Sequence, residues 1–215
     1  TGLVVFLLAT GLTKLTFNPD LETYFPEGHP AVLRYNEIDD MFIPTDNLII
    51  AVHSKEETLF KKESLKVIEE LTQKSWTIPY SVRVDSLTNY SYVQSINDDL
   101  IVEPFIEDAE KKSSDFLEKR KIIVSGEDII YKSLISEDKK TSVVSIIIDP
   151  PGPKKEDQNS ELIDYILEFL EPIKESNKNL DIRLLGNPYM DYISPRIVKA
   201  EMPVVIPFLD SIETV

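Results

Sequence analysis

The chain has 215 residues, of which 42% are hydrophobic and 28% charged. This is the composition of an ordinary globular protein, so wholesale disorder is excluded. Its 38 acidic and 23 basic residues give a formal net charge of −15, a field that repels phosphate backbones, so nucleic acid is not an expected partner. The sequence has no cysteine, which excludes disulfides and thiolate chemistry and fits either the cytoplasm or an envelope compartment.

An apolar run, Leu3–Leu12, opens the chain. It supplies only half of the roughly 20 apolar residues that span a bilayer. Three interpretations stay open, namely the outer end of a membrane helix, the apolar part of a signal peptide, and an ordinary buried element. The absence of a basic segment before Leu3 disfavours the signal peptide. The following stretch, Phe17–Val52, starts polar, is broken by prolines and ends in an apolar strand, and it indicates a chain that leaves a membrane and starts a domain.

The first half of the chain predicts a β-α-β unit after a short amphipathic helix over Ala31–Met41. Asn47–His53 is almost continuously apolar, as a buried strand is. A capping box at Ser54–Glu57 predicts that a long helix begins there and runs to about Lys74. The next predicted strand is Tyr80–Leu87. Its inward-facing residues are predicted to be Val82, Val84 and Ser86.

The middle of the chain is an insertion in this pattern, over about residues 88–133. Thr88–Pro104 predicts irregular structure, and Glu107–Lys121 predicts a charged, exposed helix. The insertion ends before Leu134–Ile148, which predicts a hairpin because a turn-rich centre precedes a β-branched run.

The last part of the core is a predicted helix and strand. Ser160 is the predicted N-cap of a helix that runs to about Lys174, and Leu180–Leu185 alternates as a strand does. The apolar side of that helix is predicted to be Leu162, Ile163, Ile166, Leu167 and Leu170.

Without the insertion and one hairpin strand, the elements run β-α-β-β-α-β, the split ferredoxin-like pattern of an α+β fold. Such a sheet carries both helices on one face and leaves the other face free to pack on a partner. The predicted domains are the end of a membrane helix or a membrane-proximal segment at 1–16, the folded domain at 17–200 and a membrane-proximal segment at 201–215.

The tail of the chain is apolar like its head. The two prolines of Met202–Leu209 argue against a central strand. Tyr189–Lys199 predicts a helix with a break at Pro195. Methionine and tyrosine suit adaptable apolar binding, so the candidates for lining a substrate path are Tyr189, Met190 and Tyr192. A helix that covers the core is the alternative interpretation of this segment.

No motif in the sequence predicts catalysis, a cofactor or a metal. The two histidines, His29 and His53, come without a G-x-S-x-G elbow, and there is no phosphate loop. The acidic clusters Glu37–Asp40 and Asn97–Asp99 do not have the spacing of a calcium-binding loop. We therefore predict that the protein is not an enzyme. Asn89-Tyr90-Ser91 is a formal glycosylation sequon, which is meaningful only in a eukaryotic secretory context.

Seven stretches of the chain carry a family resemblance. In chain order they are Gly11–Phe17, Asp20–Pro30, Tyr35–Val52, Val84–Asn89, Leu134–Thr141, Leu185–Pro188 and Met202–Leu209. Through them, roughly residues 3 to 209 resemble the first extracytoplasmic loop domain of resistance–nodulation–division (RND) superfamily transporters, in particular the MMPL-like branch of predicted exporters. Two departures are the Ile43-Pro44 pair after Phe42, where the family often has glycine, and the polar Asp210–Val215, where a membrane helix continues in the family.

The resemblance implies a porter-like domain on the periplasmic side of the cell membrane that forms part of the path of hydrophobic or amphipathic substrates. The implied partners are the membrane helices and a second, pseudo-repeat loop domain of the same transporter. The implied cargo is lipid or another hydrophobic small molecule, and a homo-oligomer is one assembly that the resemblance allows. The family's proton-relay carboxylates lie in membrane helices outside this sequence, so no residue is carried over as catalytic. The alternatives are a freestanding envelope interaction or assembly domain and a soluble hydrolase.

Overall fold

The computed structural model describes residues 24–26, 28–39, 41, 47–96, 98–127, 129–150, 156–197 and 200. It divides the chain into two compact units, one of residues 1–41 with 191–215 and one of residues 42–190. The apolar runs Leu3–Leu12 and Met202–Leu209 lie outside the described residues. No helix among the residues described is long and apolar enough to cross a membrane.

The described part of the first unit contains helix α1, Pro30–Asp39. The prediction of a helix here is confirmed, and the side chains described on it are exposed or half-buried. Its apolar residues Leu33, Tyr35 and Ile38 are 50 to 59% exposed, so the apolar side of this helix is not buried in a core.

The second unit is a mixed α+β fold, as predicted. Its helices are α2 (Lys62–Ser75), α3 (Ser114–Ile123) and α4 (Glu156–Ser176), with short 3₁₀ turns at Ala109–Lys111 and Val124–Gly126. A further helix, α5, covers residues 187–197, and the boundary between the two units falls inside it. The strands are β1 (Asn47–Ser54), β2 (Ser81–Ser86), β3 (Ser91–Ile96), β4 (Asp99–Pro104), β5 (Thr141–Ile148) and β6 (Leu180–Leu185).

Four of these strands form an antiparallel sheet in the order β2-β5-β1-β6. Alternate residues of each strand point to opposite faces, and one face is buried. Ser86, Val144, Ile50 and Leu184 form one buried row across the four strands. The remaining strands, β3 and β4, pair with each other as a separate two-stranded hairpin.

Helices α2 and α4 bury their apolar sides, and α2 packs on β2 and β5 while α4 packs on β6. Each fully buried Leu or Ile stabilises the fold by about 1.5–3 kcal/mol relative to an exposed one. The predicted apolar side of α4 is confirmed except that Leu167 is half-buried. The core residues of the two helices include Leu65, Ile68, Leu71, Leu162, Ile163, Ile166 and Leu170.

The predicted start of helix α2 at the capping box Ser54–Glu57 is wrong. The helix begins at Lys62, and Ser54 is the last residue of β1, where its Oγ accepts a hydrogen bond from the Glu56 N–H at 3.2 Å. The intervening Leu59 and Phe60 are 0 and 4% exposed. A loop, and not a helix, places these two side chains in the core. A hydrogen bond from the Leu59 N–H to the Lys139 carbonyl, at 2.9 Å, holds that loop against the strand connection.

Strand β2 confirms the inward positions of Val84 and Ser86 but not that of Val82, which is 49% exposed. The pairing register of β2 with β5 shifts between Ser81 and Arg83, and such a bulge turns the extra residue away from its expected face.

The segment Thr88–Pro104, predicted to be irregular, instead contains the hairpin β3–β4. Asp98 at its turn has φ +69°, the left-handed conformation that two-residue hairpin turns require. The predicted exposed helix of the insertion exists as α3 but begins later, where the Ser113 Oγ accepts from the Phe116 N–H at 3.2 Å.

Three other predictions about the second half need correction. Of the predicted hairpin Leu134–Ile148, only Thr141–Ile148 is a strand, and its partner arm is reduced to a bridge between Ile135 and Ser142. Ser160 does not cap α4, because that helix already begins at Glu156. The helix over 187–197 continues through Pro195, which removes one backbone donor without ending it.

Candidate functional site

The chain enters and leaves the four-stranded sheet side by side. β1 starts at Asn47, and β6 ends beside it because Leu185 pairs with Ile49. The next residue, Gly186, has φ +122°, and a Cβ placed on it would lie 2.2 Å from the Asn47 carbonyl oxygen. Only glycine fits this close approach of two backbones. We call this end of the sheet, which also contains Ser81 and Ile148, the proximal end.

The insertion leaves and rejoins the sheet at the opposite, distal end. β2 ends at Ser86 and β5 begins at Thr141, and both positions lie at the far end from Asn47. Residues 87–140, with the hairpin and α3, are therefore attached at the end of the sheet opposite to the one where the chain enters at Asn47. The two ends of the sheet thus carry different residues.

The second face of the sheet is apolar at its centre and charged at its edges. Ile49, Ala51, Val143 and Ile147 are half-buried, and Leu185 is 46% exposed. Ion pairs lie on its outer strands. Arg83 Nε lies 2.7 Å from a carboxylate oxygen of Asp85, and Arg183 Nη2 lies 2.7 Å from one of Asp181. The Arg183 hydrogen bond holds the pKa of the Asp181 carboxyl below its ordinary value. We call this surface the open face.

The two histidines have local partners. His53 lies on the open face between Thr141 and Asp181, its partners on the neighbouring strands, and its Nδ1 is 2.9 Å from the Thr141 Oγ1. The His53 side chain is exposed. His29 accepts from the Ala31 N–H at 3.2 Å, which satisfies a free amide at the start of α1. Within the described ranges no cluster of three metal-binding side chains exists.

The three predicted path residues Tyr189, Met190 and Tyr192 all lie on α5, over 187–197. Met190 is 55% exposed, and Tyr189 and Tyr192 are half-buried. The guanidinium of Arg196 lies 3.5 Å from the Tyr192 ring centroid and donates to the Tyr192 carbonyl at 2.6 Å.

A buried arginine that the sequence analysis did not identify holds the hairpin to the rest of the insertion. Arg120 of α3 is 4% exposed. Its guanidinium lies 4.5 to 5.0 Å from the ring centroids of Tyr92, Phe105 and Phe116 and forms an ion pair with Glu103 of β4. A cation over aromatic faces in a desolvated place contributes about 2 kcal/mol. We call this group the arginine cage.

The hairpin has apolar side chains on its other face. Val93 pairs with Val102, and both are on the side opposite the arginine cage together with Leu100. They are 53, 64 and 75% exposed, respectively. Isolated two-stranded hairpins are marginally stable in water. The arginine cage therefore supplies stability that the two strands alone would lack, while the apolar face of the hairpin stays exposed.

The Val84–Asn89 stretch forms a buried hydroxyl network at the distal end. Ser86 Oγ lies 2.8 Å from the Thr72 Oγ1 and 2.9 Å from the Thr88 Oγ1, and all three residues are at most 5% exposed. The Asn89 amide donates to the Val84 carbonyl at 2.7 Å and accepts from the Ser86 N–H at 2.7 Å. Glycosylation of the sequon would attach a sugar to the same Asn89 Nδ2 that donates to the Val84 carbonyl.

Comparison with protein-family models and with curated protein sequences gives no match for this chain.

Proposed function

We propose that the unit of residues 42–190 is a ferredoxin-like porter-type domain. Without the insertion its elements run β1-α2-β2-β5-α4-β6, and its sheet has the order β2-β5-β1-β6 with antiparallel neighbours. This chain order is the split β-α-β pattern. The single buried face of the sheet, on which α2 and α4 pack, supports the same interpretation.

We propose further that the protein is the extracytoplasmic domain of an RND-type membrane exporter, with the domain on the periplasmic side. The observation that carries this proposal is the close approach of Gly186 to Asn47, where the chain enters and leaves the sheet side by side. A domain inserted between two adjacent membrane helices needs its ends together. The apolar runs Leu3–Leu12 and Met202–Leu209 are the sequence segments available for those helices.

In this proposal the open face is the surface that packs on a second loop domain of the same transporter. An apolar centre with a charged rim is the usual anatomy of a protein–protein interface. Leu185 is an exposed apolar residue of this face, at 46%. Tyr189, Met190 and Tyr192 are proposed to line part of a path for hydrophobic or amphipathic molecules, because their side chains combine apolar area with adaptability.

Export of a lipophilic dye tests the proposal. Cells that express the protein with its natural flanking sequence should retain less N-phenylnaphthylamine than cells without it. Leu185→Asp should abolish the difference, because it places a carboxylate in the interface that the open face is proposed to form. The control Ile122→Asp changes a 72% exposed residue of α3 and should leave export unchanged. Equal dye retention with and without the protein would contradict an exporter.

A freestanding interaction domain is the second candidate function, and the exposed apolar face of the hairpin favours it. A monomeric domain rarely exposes neighbouring aliphatic side chains such as Val93, Leu100 and Val102 without a partner. Association that Val102→Glu abolishes, in a protein whose expression has no effect on dye retention, would support this candidate.

A further inference from the structure

The loop between α2 and β2, Trp76–Tyr80, presents two large aromatic rings at the surface. Trp76 is 51% and Tyr80 43% exposed, whereas Ile78 between them is 3% exposed and holds the loop in the core. The Thr77 Oγ1 lies 3.0 Å from the hydroxyl of Tyr165 on α4, which fixes the loop to a second element. We call residues 76–80 the aromatic loop.

Tyr80 is held in a strained backbone conformation. Its φ is +63°, in the left-handed region that costs a residue with a Cβ about 1–2 kcal/mol. Its carbonyl accepts from the Asp149 N–H at 2.9 Å, which maintains the conformation. An exposed ring on a residue with a strained backbone contributes little to the stability of the fold. Strain of this kind is typical of functional surfaces.

The aromatic loop lies at the proximal end of the sheet. β2 follows the loop directly, and Ser81 pairs with Ile148 at the same end as Asn47 and Leu185. Asn47 and Gly186, where the main chain enters and leaves the sheet, therefore lie at the end that carries Trp76 and Tyr80. The hairpin at the distal end exposes aliphatic residues instead.

On this basis, and resting on the proposed function, we propose that the aromatic loop lies in the headgroup region of the membrane and contacts zwitterionic phospholipid. Tryptophan and tyrosine are the residues that concentrate at membrane–water interfaces, since their rings are apolar at one end and polar at the other. The loop Trp-Thr-Ile-Pro-Tyr has no charge of its own, and Lys74 and Asp149 on either side of it have opposite signs. The net charge of −15 disfavours anionic lipid.

Trp76 is the single tryptophan of the chain, so its fluorescence reports on this loop alone. The full chain is added to phosphatidylcholine vesicles whose acyl chains are brominated near the headgroup. Because bromine quenches only at short range, we expect roughly half of the Trp76 emission to be lost if the ring is at the interface. The matched control is Trp76→Phe combined with Leu100→Trp, which moves the tryptophan to an exposed position of the distal hairpin and should show no quenching.

Unchanged Trp76 emission in a chain that floats with the vesicles would overturn the lipid contact and point to a protein surface for the loop, while the exporter proposal would stand. A chain that does not float with vesicles at all would also overturn the lipid contact, while the exporter proposal is tested separately by dye retention. Equal quenching of the two tryptophan positions would show non-specific adsorption and would also overturn the lipid contact.

Tyr80→Gly separates the lipid contact from folding. Glycine adopts a φ of +63° without strain, so the thermal midpoint should stay within a few degrees of that of the native chain. Quenching of Trp76 should fall, because half of the aromatic surface is gone. Undiminished quenching, or a large loss of stability, would exclude Tyr80 from the proposed contact.

Discussion

The four-stranded sheet and the β3–β4 hairpin are both antiparallel, but they are stabilised in different ways. The sheet buries every second side chain of β1 and β5 under helices, and no single side chain decides its stability. The hairpin exposes an apolar face and is held on its other face by the cage around Arg120. Identical backbone pairing thus gives a cooperative core in one region and a locally anchored arm in the other.

The largest expected effect is that of Ile50→Ala, which tests the buried core of the sheet. Ile50 is 0% exposed at the centre of β1, so its truncation should lower the free energy of unfolding by about 2–5 kcal/mol. Ile49→Ala on the half-buried open face of the same strand is the matched control, with an expected loss of about 1 kcal/mol. Urea denaturation measures both, and equal losses would contradict the burial of a single face.

Arg120→Met should act on the hairpin alone. The change keeps an apolar stem but removes the cation from three rings and the ion pair with Glu103, so the local stability should fall by about 2 kcal/mol. Amide hydrogen exchange over β3 and β4 should then accelerate roughly thirtyfold, with β1 and β5 unchanged. Arg183→Met, which breaks an exposed ion pair, should change no region by more than about 0.5 kcal/mol. Uniform acceleration across the sheet would show that the hairpin is not a separate unit of stability.

Ser86→Ala should have a smaller effect at the junction between sheet and insertion. The change leaves Thr88 and Asn89 without a shared partner in a place from which water is excluded, at a cost of about 1 kcal/mol. Ser95→Ala on the exposed hairpin is the control and should be neutral. A loss below the precision of thermal unfolding would mean that water replaces the hydroxyl.

Acid should weaken the sheet slightly. The pKa of Asp138 is lowered by its hydrogen bonds from the Ser136 hydroxyl and the Lys140 N–H, in the turn that precedes β5. A carboxyl with a lowered pKa stabilises the fold above its unfolded pKa of about 3.9, and this stabilisation is lost as the pH falls below that value. Asp138→Asn should flatten the acid limb of a plot of thermal midpoint against pH, and an unchanged limb would contradict the assignment.

The sequence predicted the sheet well because its strands and helices have strong periodic signals. The alternation in Leu180–Leu185 corresponds to the buried Leu180, Ile182 and Leu184. The predicted apolar positions of α2 and α4 are buried except Leu167, which is half-buried. The sequence failed where tertiary contacts decide. Ser54–Glu57 has the pattern of a capping box. However, burying Leu59 and Phe60 from a loop stabilises the fold more than a longer helix would. Val82 turns outward because of a bulge that no local pattern shows.

The hairpin and the arginine cage were missed for different reasons. The Asn97-Asp98 pair is a turn signal that was available in the sequence. Ser91–Ile96 does not alternate between apolar and polar residues and so gave no clear strand signal. The cage was not available, because Arg120 meets Tyr92 and Phe105 only through long-range packing. The predicted path residues Tyr189, Met190 and Tyr192 were placed on a helix correctly, and their role stays a prediction.

The central claim, a domain held outside the membrane by its two ends, is tested most directly by labelling a single cysteine. The chain has no cysteine of its own, and Ser95→Cys places one on the exposed hairpin at the distal end. In intact cells that express the protein with its natural flanking sequence, we predict a membrane-bound protein that a membrane-impermeant maleimide labels fully from outside. Labelling only after lysis, or recovery of the protein in the soluble fraction, would contradict the account.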